Sequence, residues 1–301
     1  MQILTKFLPL KHLVLGLAIY NDALTLMYVS RSAATWRLQY CAHYPFTDLP
    51  DLATLHHHIQ PQQRWYDMQA AIAVPHNLVM KTYVTLPAYL SEDVLAQEIK
   101  ASLNSYFPEY AAEDLYYDFV CESTDHDVHK LAVFALAKQD VASRMAVAAQ
   151  LGLAVQIIDV DIYAINRAAT WYLKRHYPHI TTALLIELQQ QDGYVLVWQA
   201  GVCVWHYSWQ QHNDPLVAVQ QAVALWQASQ QEVCPEILGL SGVGDYYQDL
   251  VAIVSTTLAC NITTYCLVAT AGMGALAEVP QATQAHGLLL CTGLALRNTG
   301  M

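Results

Sequence analysis

A chain of 301 residues is long enough for two α/β lobes around a sizeable core. Its composition is 55% hydrophobic and only 13% charged, against about 25% charged in an average soluble domain. Gln, His, Tyr and small residues must therefore cover the surface. The net charge of −11 repels phosphate backbones and argues against nucleic acid as a partner, and no Lys/Arg-rich run offers a dock for anionic lipid.

Lys6 and Lys11 precede an apolar run, Leu13 to Ile19, in the manner of a signal peptide. No small-residue cleavage site follows, so the run reads as a strand. Asn21-Asp22 is a two-residue turn and Ala23 to Val29 the return strand. Ala34 to Tyr44 is a third strand, Asp48 opens a helix to about Gln60, and Ala70 to Val74 is a short buried strand stopped by Pro75. After Thr181 the same order returns. Strands are expected at Ala183–Leu188, Tyr194–Gln199 and Val202–Trp209, the last two joined by Ala200-Gly201. A helix follows from Asp214-Pro215 to about Glu232, then a strand at Ile237–Leu240. Each half continues with a strand and a helix: Ala154–Ile158 with Ile162–Arg175, and Asn261–Tyr265 with Ala285–Arg297. This duplication predicts two related lobes facing each other across a cleft, the actin-like architecture.

Between Leu78 and Gly152 lies an insertion with its own order. Val79–Leu86 is a strand, and Ser91 caps a helix with Glu92 and Asp93 in its first turn. Leu115–Cys121 and Lys130–Ala137 are strands flanking an acidic, His-rich loop, Glu122–His129, and Gln139–Gln150 is a helix stopped by Gly152. The expected organisation is an α/β, actin-like (ASKHA) two-lobed fold with a βαββα subdomain in the first lobe. The boundaries are 1–77 and 154–178 for the first lobe, 78–153 for the insertion and 179–301 for the second lobe.

The insertion also carries a family likeness. Met80-Lys-Thr-Tyr-Val-Thr-Leu-Pro87 with Ser91-Glu-Asp-Val-Leu-Ala-Gln-Glu98 resembles the PilM family of type IV pilus assembly proteins. So do Tyr106-Phe-Pro-Glu-Tyr110, Glu113-Asp114-Leu115, Asp118-Phe119, Ile158-Asp-Val-Asp161 with Asn166-Arg-Ala168, and Gly293-Leu-Ala-Leu-Arg297. The resemblance implies a fold related to the cell-division protein FtsA. It also implies a cytoplasmic scaffold, peripheral to the inner membrane, that recruits the short cytoplasmic tail of a PilN-like bitopic membrane protein and connects to other pilus components. Self-association is left open, and many members bind ATP in the cleft. The implied tail site lies between the first lobe and the insertion, where Leu103, Tyr106 and Phe107 offer apolar surface. The competing reading is that these three close the insertion's own core.

Nucleotide binding needs two strand-turn loops that bring backbone N–H groups and an acid for metal-bound water to the phosphates. The family's first loop reads roughly Gly-Ile-Asp-Ile-Gly-Ser-Ser; here Gly16-Leu-Ala-Ile-Tyr-Asn-Asp22 places Ala18 at the acid and Tyr20 at the close-approach glycine. The second loop, usually Asp-Ile-Gly, reads Glu187-Leu188-Gln189. The adenosine turn is better kept as Leu240-Ser-Gly-Val-Gly-Asp245. Gly16, Asn21, Asp22, Glu187, Gly242 and Gly244 therefore mark a degenerate nucleotide cleft, with ATP/Mg binding weak or absent. Gly242 and Gly244 read equally well as a strand-to-helix turn.

No catalytic or metal-binding pattern stands beside it. His56-His57-His58 point about 100° apart on a helix and cannot share one metal. Seven cysteines, with no Cys-x-x-Cys, read as buried free thiols in a reducing compartment. Trp205, Tyr207 and Trp209 share one strand face, for packing or for contact. No run approaches the roughly 18 apolar residues of a membrane helix, so no direct membrane insertion is expected. Two other classes remain on this fold: an FtsA-like filament or division adaptor, whose amphipathic tail is not evident in Arg297-Asn-Thr-Gly-Met301, and an ATP-dependent small-molecule kinase, which would need intact phosphate loops.

Overall fold

The computed structural model describes residues 13–20, 23–32, 35–51, 55, 68–189, 192–210, 214–229, 234–258, 262–266 and 288–297. Apolar runs such as Leu13–Ile19 (β1) and Thr182–Gln189 (β9) bury both faces, as strands covered on two sides must. β1 pairs antiparallel with β2 (Ala23–Ser32), which pairs with β3 (Thr35–Pro45). On its other edge β1 runs parallel to β4 (Met68–Val74), and β4 to β8 (Val155–Val160). The first sheet is therefore ordered β3-β2-β1-β4-β8.

The second sheet repeats this plan. β9, β10 (Asp192–Gln199) and β11 (Val202–Trp209) form an antiparallel meander, while β12 (Ile237–Ser241) and β13 (Thr263–Cys266) add parallel strands, in the order β11-β10-β9-β12-β13. The turn between β10 and β11 puts Ala200 at φ 49° and Gly201 at φ 99°, the geometry of a hairpin turn with both central residues left-handed.

An insertion enters after Pro75. It comprises β5 (Met80–Pro87), α1 (Glu92–Tyr106), β6 (Leu115–Asp125) and β7 (Val128–Ala137), with the sheet ordered β5-β7-β6. One face packs on α1 through Leu95, Ile99, Leu103, Leu131, Val133 and Ala135. The expected loop at 122–129 is mostly strand: β6 and β7 are joined by His126 and Asp127 alone, His126 at φ 49°. Ser91 has extended N-cap geometry, but its side chain makes no capping hydrogen bond. The helix α2 (Lys138–Gln150) stops as expected, with Gly152 at φ 69° and Leu153 N donating to Ala148 O at 2.9 Å. Its buried Val141 and Ala148, however, join Leu15, Leu17 and Ile72 in the first lobe's core. The βαββ segment thus closes its own core without α2.

Among the described residues, further helices complete the layers: α3 (Asp161–His176), α4 (Pro215–Ser229), α5 (Tyr247–Leu258) and α6 (Leu288–Ala295). α5, which the sequence reading passed over, lies between β12 and β13 as α2 lies between β4 and β8. Asp214 caps α4, accepting from Leu216 N at 2.9 Å, with Pro215 in the first turn. α4 and α5 cover the outer face of the second sheet, where Leu184, Ile186, Val195 and Val197 meet Val219, Trp226 and Leu250. Trp205 and Tyr207 pack against this cluster and Trp209 is part of it, which resolves their shared strand face as packing.

α3 and α6 lie between the two sheets, in a core shared with Val14, Ala18, Leu185, Leu196 and Trp198. They cross so tightly that a Cβ on Gly293 would lie 1.8 Å from Ala164 O. At the crossing Asp159 accepts from Arg167 Nη1 at 3.0 Å and pairs with Arg297, while Arg167 Nη1 also donates to Gly293 O at 2.6 Å. Burial alone would raise the Asp159 pKa, but the two guanidiniums and the Val160 N–H hold it below the usual carboxylate value.

Candidate functional site

The carboxyl ends of β1 and β4, the place where open α/β sheets take ligands, border a cleft of about 380 Å³ between the lobes. Ile19, Tyr20, Val74 and Pro75 line it from the first sheet, Ser143, Arg144 and Val147 from α2, Asp161 from α3, and Asp192, Tyr194 and Leu290 from the far side.

Asp161 is the polar centre. Buried at the start of α3, its Oδ1 accepts from Ile162 N at 2.6 Å and from His76 N at 3.1 Å. Its Oδ2 accepts from Tyr194 Oη at 2.9 Å, a hydrogen bond from one lobe to the other. Burial and the Asp161 charge push the Tyr194 pKa well up, so the phenol remains a donor. His76 Nδ1 lies 3.3 Å from Asp161 Oδ1, and its ring meets that of His206 edge-on at 4.7 Å. Burial and the neighbouring His76 lower the His206 pKa. Across the cleft, burial depresses the Arg144 pKa against the pull of Tyr194, Asp161 and Asp192.

The residues singled out in the sequence fall in different places. Gly16 sits in mid-β1, between Met27 and Ala71, and a Cβ there would lie 2.5 Å from Cys291 O. Its close approach is to α6, whose Cys291 Sγ donates to Gly16 O at 3.1 Å. Ala18 is fully buried opposite Thr25. Tyr20 lines the cleft, but its hydroxyl is closed off from solvent and without a hydrogen-bond partner among the described residues. Burial and the nearby Glu187 raise its pKa well above the usual value. Glu187 is itself fully buried, and its Oε1 accepts from Leu290 N at 3.3 Å in the first turn of α6. Gly242, at φ 67°, makes the turn after β12, and Gly244 opens the 3-10 turn Gly244–Tyr246. Asn21, Asp22 and the histidine run 56–58 lie outside the described residues. Among the described residues no group of three acidic, His or Cys side chains has metal-binding geometry.

In the insertion, Leu103 and Phe107 are buried in the core beneath the sheet, with Tyr106 half-buried against it. They close that core and do not form an open surface. The opening lies alongside instead, a groove of about 740 Å³ lined by Gln97, Lys100, Ala101, Leu115, Tyr117 and Lys138. It runs between α1, the start of α2 and β6, an edge strand of the three-stranded sheet. Cys41, Cys121, Cys203 and Cys291 are free thiols, but of these only Cys291 is buried and Cys121 is exposed, and Cys234 is disulfide-bonded.

A family model described as type IV pilus assembly protein PilM matches residues 16–199, more than half of the chain. The chain belongs to the PilM family. Among solved structures, a chain of a PilM–PilN type IV pilus biogenesis complex is 17% identical with a TM-score of 0.61, covering 96% of this chain and 99% of that one. A Bacteroides thetaiotaomicron protein with an actin-like ATPase fold and unknown function is 9% identical (TM-score 0.47; 87% of this chain, 95% of that one). The ethanolamine utilization protein EutJ of Carboxydothermus hydrogenoformans is also 9% identical (TM-score 0.46; 98% and 92%). The likeness to the PilM–PilN chain is, at this identity, one of fold, and this chain's own two sheets of repeated strand order on either side of a cleft form the actin-like arrangement. This PilM-family chain is therefore a component of pilus assembly on an actin-like frame. Among its described residues no helix is long and apolar enough to cross a membrane.

Proposed function

We propose that this chain is a pilus-assembly scaffold that holds the cytoplasmic leader of a PilN-like membrane protein in the groove beside β6, and that it does so without Mg-ATP in the cleft. The observation that carries the reading is the groove itself. An edge strand presents unpaired backbone groups, α1 supplies a wall, and Ala101, Ala112, Leu115, Tyr116 and Tyr117 give apolar surface beside the polar Gln97, Lys100, Glu113 and Lys138. Extended leaders bind such edges by main-chain hydrogen bonds and bury alternate side chains. Several apolar anchors at about 1.5–3 kcal/mol each, less the cost of ordering a short peptide, give micromolar affinity at best. The protein is then peripheral to the inner membrane through its partner.

The cleft supports the second half of the reading. A metal–nucleotide site needs an acid on the first loop and open backbone at its glycine. Ala18 has no side-chain oxygen to offer, Tyr20 lines the cleft with bulk where a glycine would leave room, and the open face of Gly16 is taken by α6. Glu187 is engaged at the first turn of α6. A scaffold rather than an ATPase follows.

The test is a titration of a labelled leader peptide against wild type and Ala101→Arg. Ala101 is exposed on the groove wall, so an arginine there obstructs the groove and spares the core. Binding to wild type at micromolar concentrations, weakened at least tenfold by the substitution and indifferent to Mg-ATP, is the expected result. No binding to wild type, or equal binding to both, defeats it.

A further inference from the structure

We infer that β11, an outer edge of the second sheet, is a docking edge for a second copy of this chain, the two β11 strands pairing antiparallel about a two-fold axis with the α4 helices meeting beside them. The inference is independent of the leader groove, which lies in the insertion.

An edge strand presents unpaired N–H and C=O groups, and proteins blunt it with charge, proline, shortness or cover. In the first sheet the edge strand β3 ends at Pro45 and the edge strand β8 holds Asp159. The second sheet's other edge, β13, has only 4 residues. In the insertion β5 holds Lys81 and ends at Pro87, and β6 is the edge given above to the leader. β11 differs. Its 8 residues, Val202-Cys-Val-Trp-His-Tyr-Ser-Trp209, include no Asp, Glu, Lys, Arg or Pro, and Val202 and Val204 are 59% and 53% exposed. Its pairing with β10 has one bulge. Cys203 lies opposite Trp198 and Trp205 opposite Val197, so Val204 is the extra residue, and Trp205–Trp209 continues in regular register. Among the described residues no element besides β10 hydrogen-bonds the main chain of β11.

The helix beside this edge is also without charge. Val219 and Trp226 of α4 pack in one cluster with Trp205, Tyr207 and Trp209 of β11. A surface helix ordinarily sets charged and polar residues on its outward face. α4 contains no Asp, Glu, Lys or Arg, and Val217 and Leu225 are exposed on it, between Gln220 and Gln221.

Charge selects the occupant. Each copy carries −11, so two copies repel each other over most approaches. The seam of β11 and α4 brings no like charges together. A two-fold perpendicular to the sheet joins two β11 strands into one continuous sheet and leaves both α4 helices on the same face, where Val217 and Leu225 of each copy leave water. Such a contact is isologous and closes at two copies.

The test uses the full chain without partner or nucleotide. Sedimentation equilibrium from micromolar to submillimolar concentration is read for wild type, Val204→Lys, Leu225→Lys and Val128→Lys, with amide hydrogen exchange of wild type at both ends of that range. Wild type should pass from monomer to dimer and no further, with new protection confined to β11 and α4. Val204→Lys and Leu225→Lys should each weaken association by about tenfold or more. Each lowers the net negative charge, so long-range repulsion alone predicts the opposite sign. Val128→Lys, exposed on the insertion hairpin, makes the same charge change and should not weaken association. The exchange reading on wild type needs no variant to fold. A monomer throughout, growth beyond the dimer, association undiminished by the Val204 and Leu225 changes, or protection elsewhere overturns the inference. So does protection of β11 that appears only when the leader peptide is added, which would give the edge to a different chain.

Discussion

Gly293→Ala provides a test whose sign distinguishes two accounts of the same residue. In a helix interior alanine is favoured over glycine by about 1 kcal/mol, so local propensity alone predicts a stabler protein. The packing predicts the opposite. A Cβ on Gly293 would lie 1.8 Å from Ala164 O, 2.3 Å from its carbonyl carbon and 2.9 Å from its Cα, against the 3.4 Å at which ordinary contact begins. The obstacle is backbone and cannot rotate away. The helices α3 and α6 would have to part by about 1.6 Å, the difference between 1.8 Å and 3.4 Å. α6 has no free side on which to yield, since every residue from Leu288 to Leu296 for which burial is described is buried. Separation would also stretch the bond from Arg167 to Gly293 O. Overpacking a well-filled core costs about 1–3 kcal/mol and sometimes more. We expect the upper end, about 3 kcal/mol net of the propensity gain, read as a lower midpoint in urea at unchanged m-value. Ala224→Gly, on the exposed face of α4, calibrates the propensity scale with an expected loss of about 1 kcal/mol. A Gly293→Ala protein as stable as wild type, or stabler, would refute the close crossing.

Asp159→Asn should destabilise by about 3–5 kcal/mol, because it leaves Arg297 buried without its charge partner. The Asp159 pKa is lower folded than unfolded, so its contribution is present above the ordinary carboxylate value and lost as the pH falls through the folded-state value. A stability–pH profile should therefore fall less steeply on the acid side in Asp159→Asn than in wild type; parallel profiles would contradict the assignment. Calorimetry with Mg-ATP should show no saturable heat for wild type, given Ala18 and Tyr20 at the phosphate positions; micromolar affinity would contradict it. Tyr194→Phe removes a hydrogen bond to a charged group across the cleft and should cost about 1.5–3 kcal/mol of stability, with no effect on leader binding at the distant groove.

The repeated element order was legible because each strand run is short, apolar and punctuated by residues with clear local chemistry: Pro75, Ala200-Gly201, and Asp214-Pro215. Periodicity could not assign α2 to a lobe, since its packing partners Leu15, Leu17 and Ile72 are distant in sequence. Nor could it separate two meanings of glycine. Gly16 matched a phosphate-loop position, yet its open side meets the backbone of a helix some 275 residues further along the chain. Leu103 and Phe107 looked like surface anchors because they end an amphipathic helix, and they face inward because Leu131 and Val133 of β7 lie beneath them. Asp161 was visible only as part of a family-like run, Ile158-Asp-Val-Asp161; its role depends on Tyr194 and His76 arriving from other elements. Arg144 carried no sequence signal, being one polar residue on a helix between Ser143 and Met145.

Amide hydrogen exchange with and without the partner leader tests the central claim most directly. The account predicts new protection confined to β6, from Leu115 to Cys121, and to the α1 turn around Gln97–Ala101, identical with and without Mg-ATP. Protection that appears instead around the interlobe cleft, at Ile19–Tyr20 and Asp192–Tyr194, or that requires Mg-ATP, would contradict it.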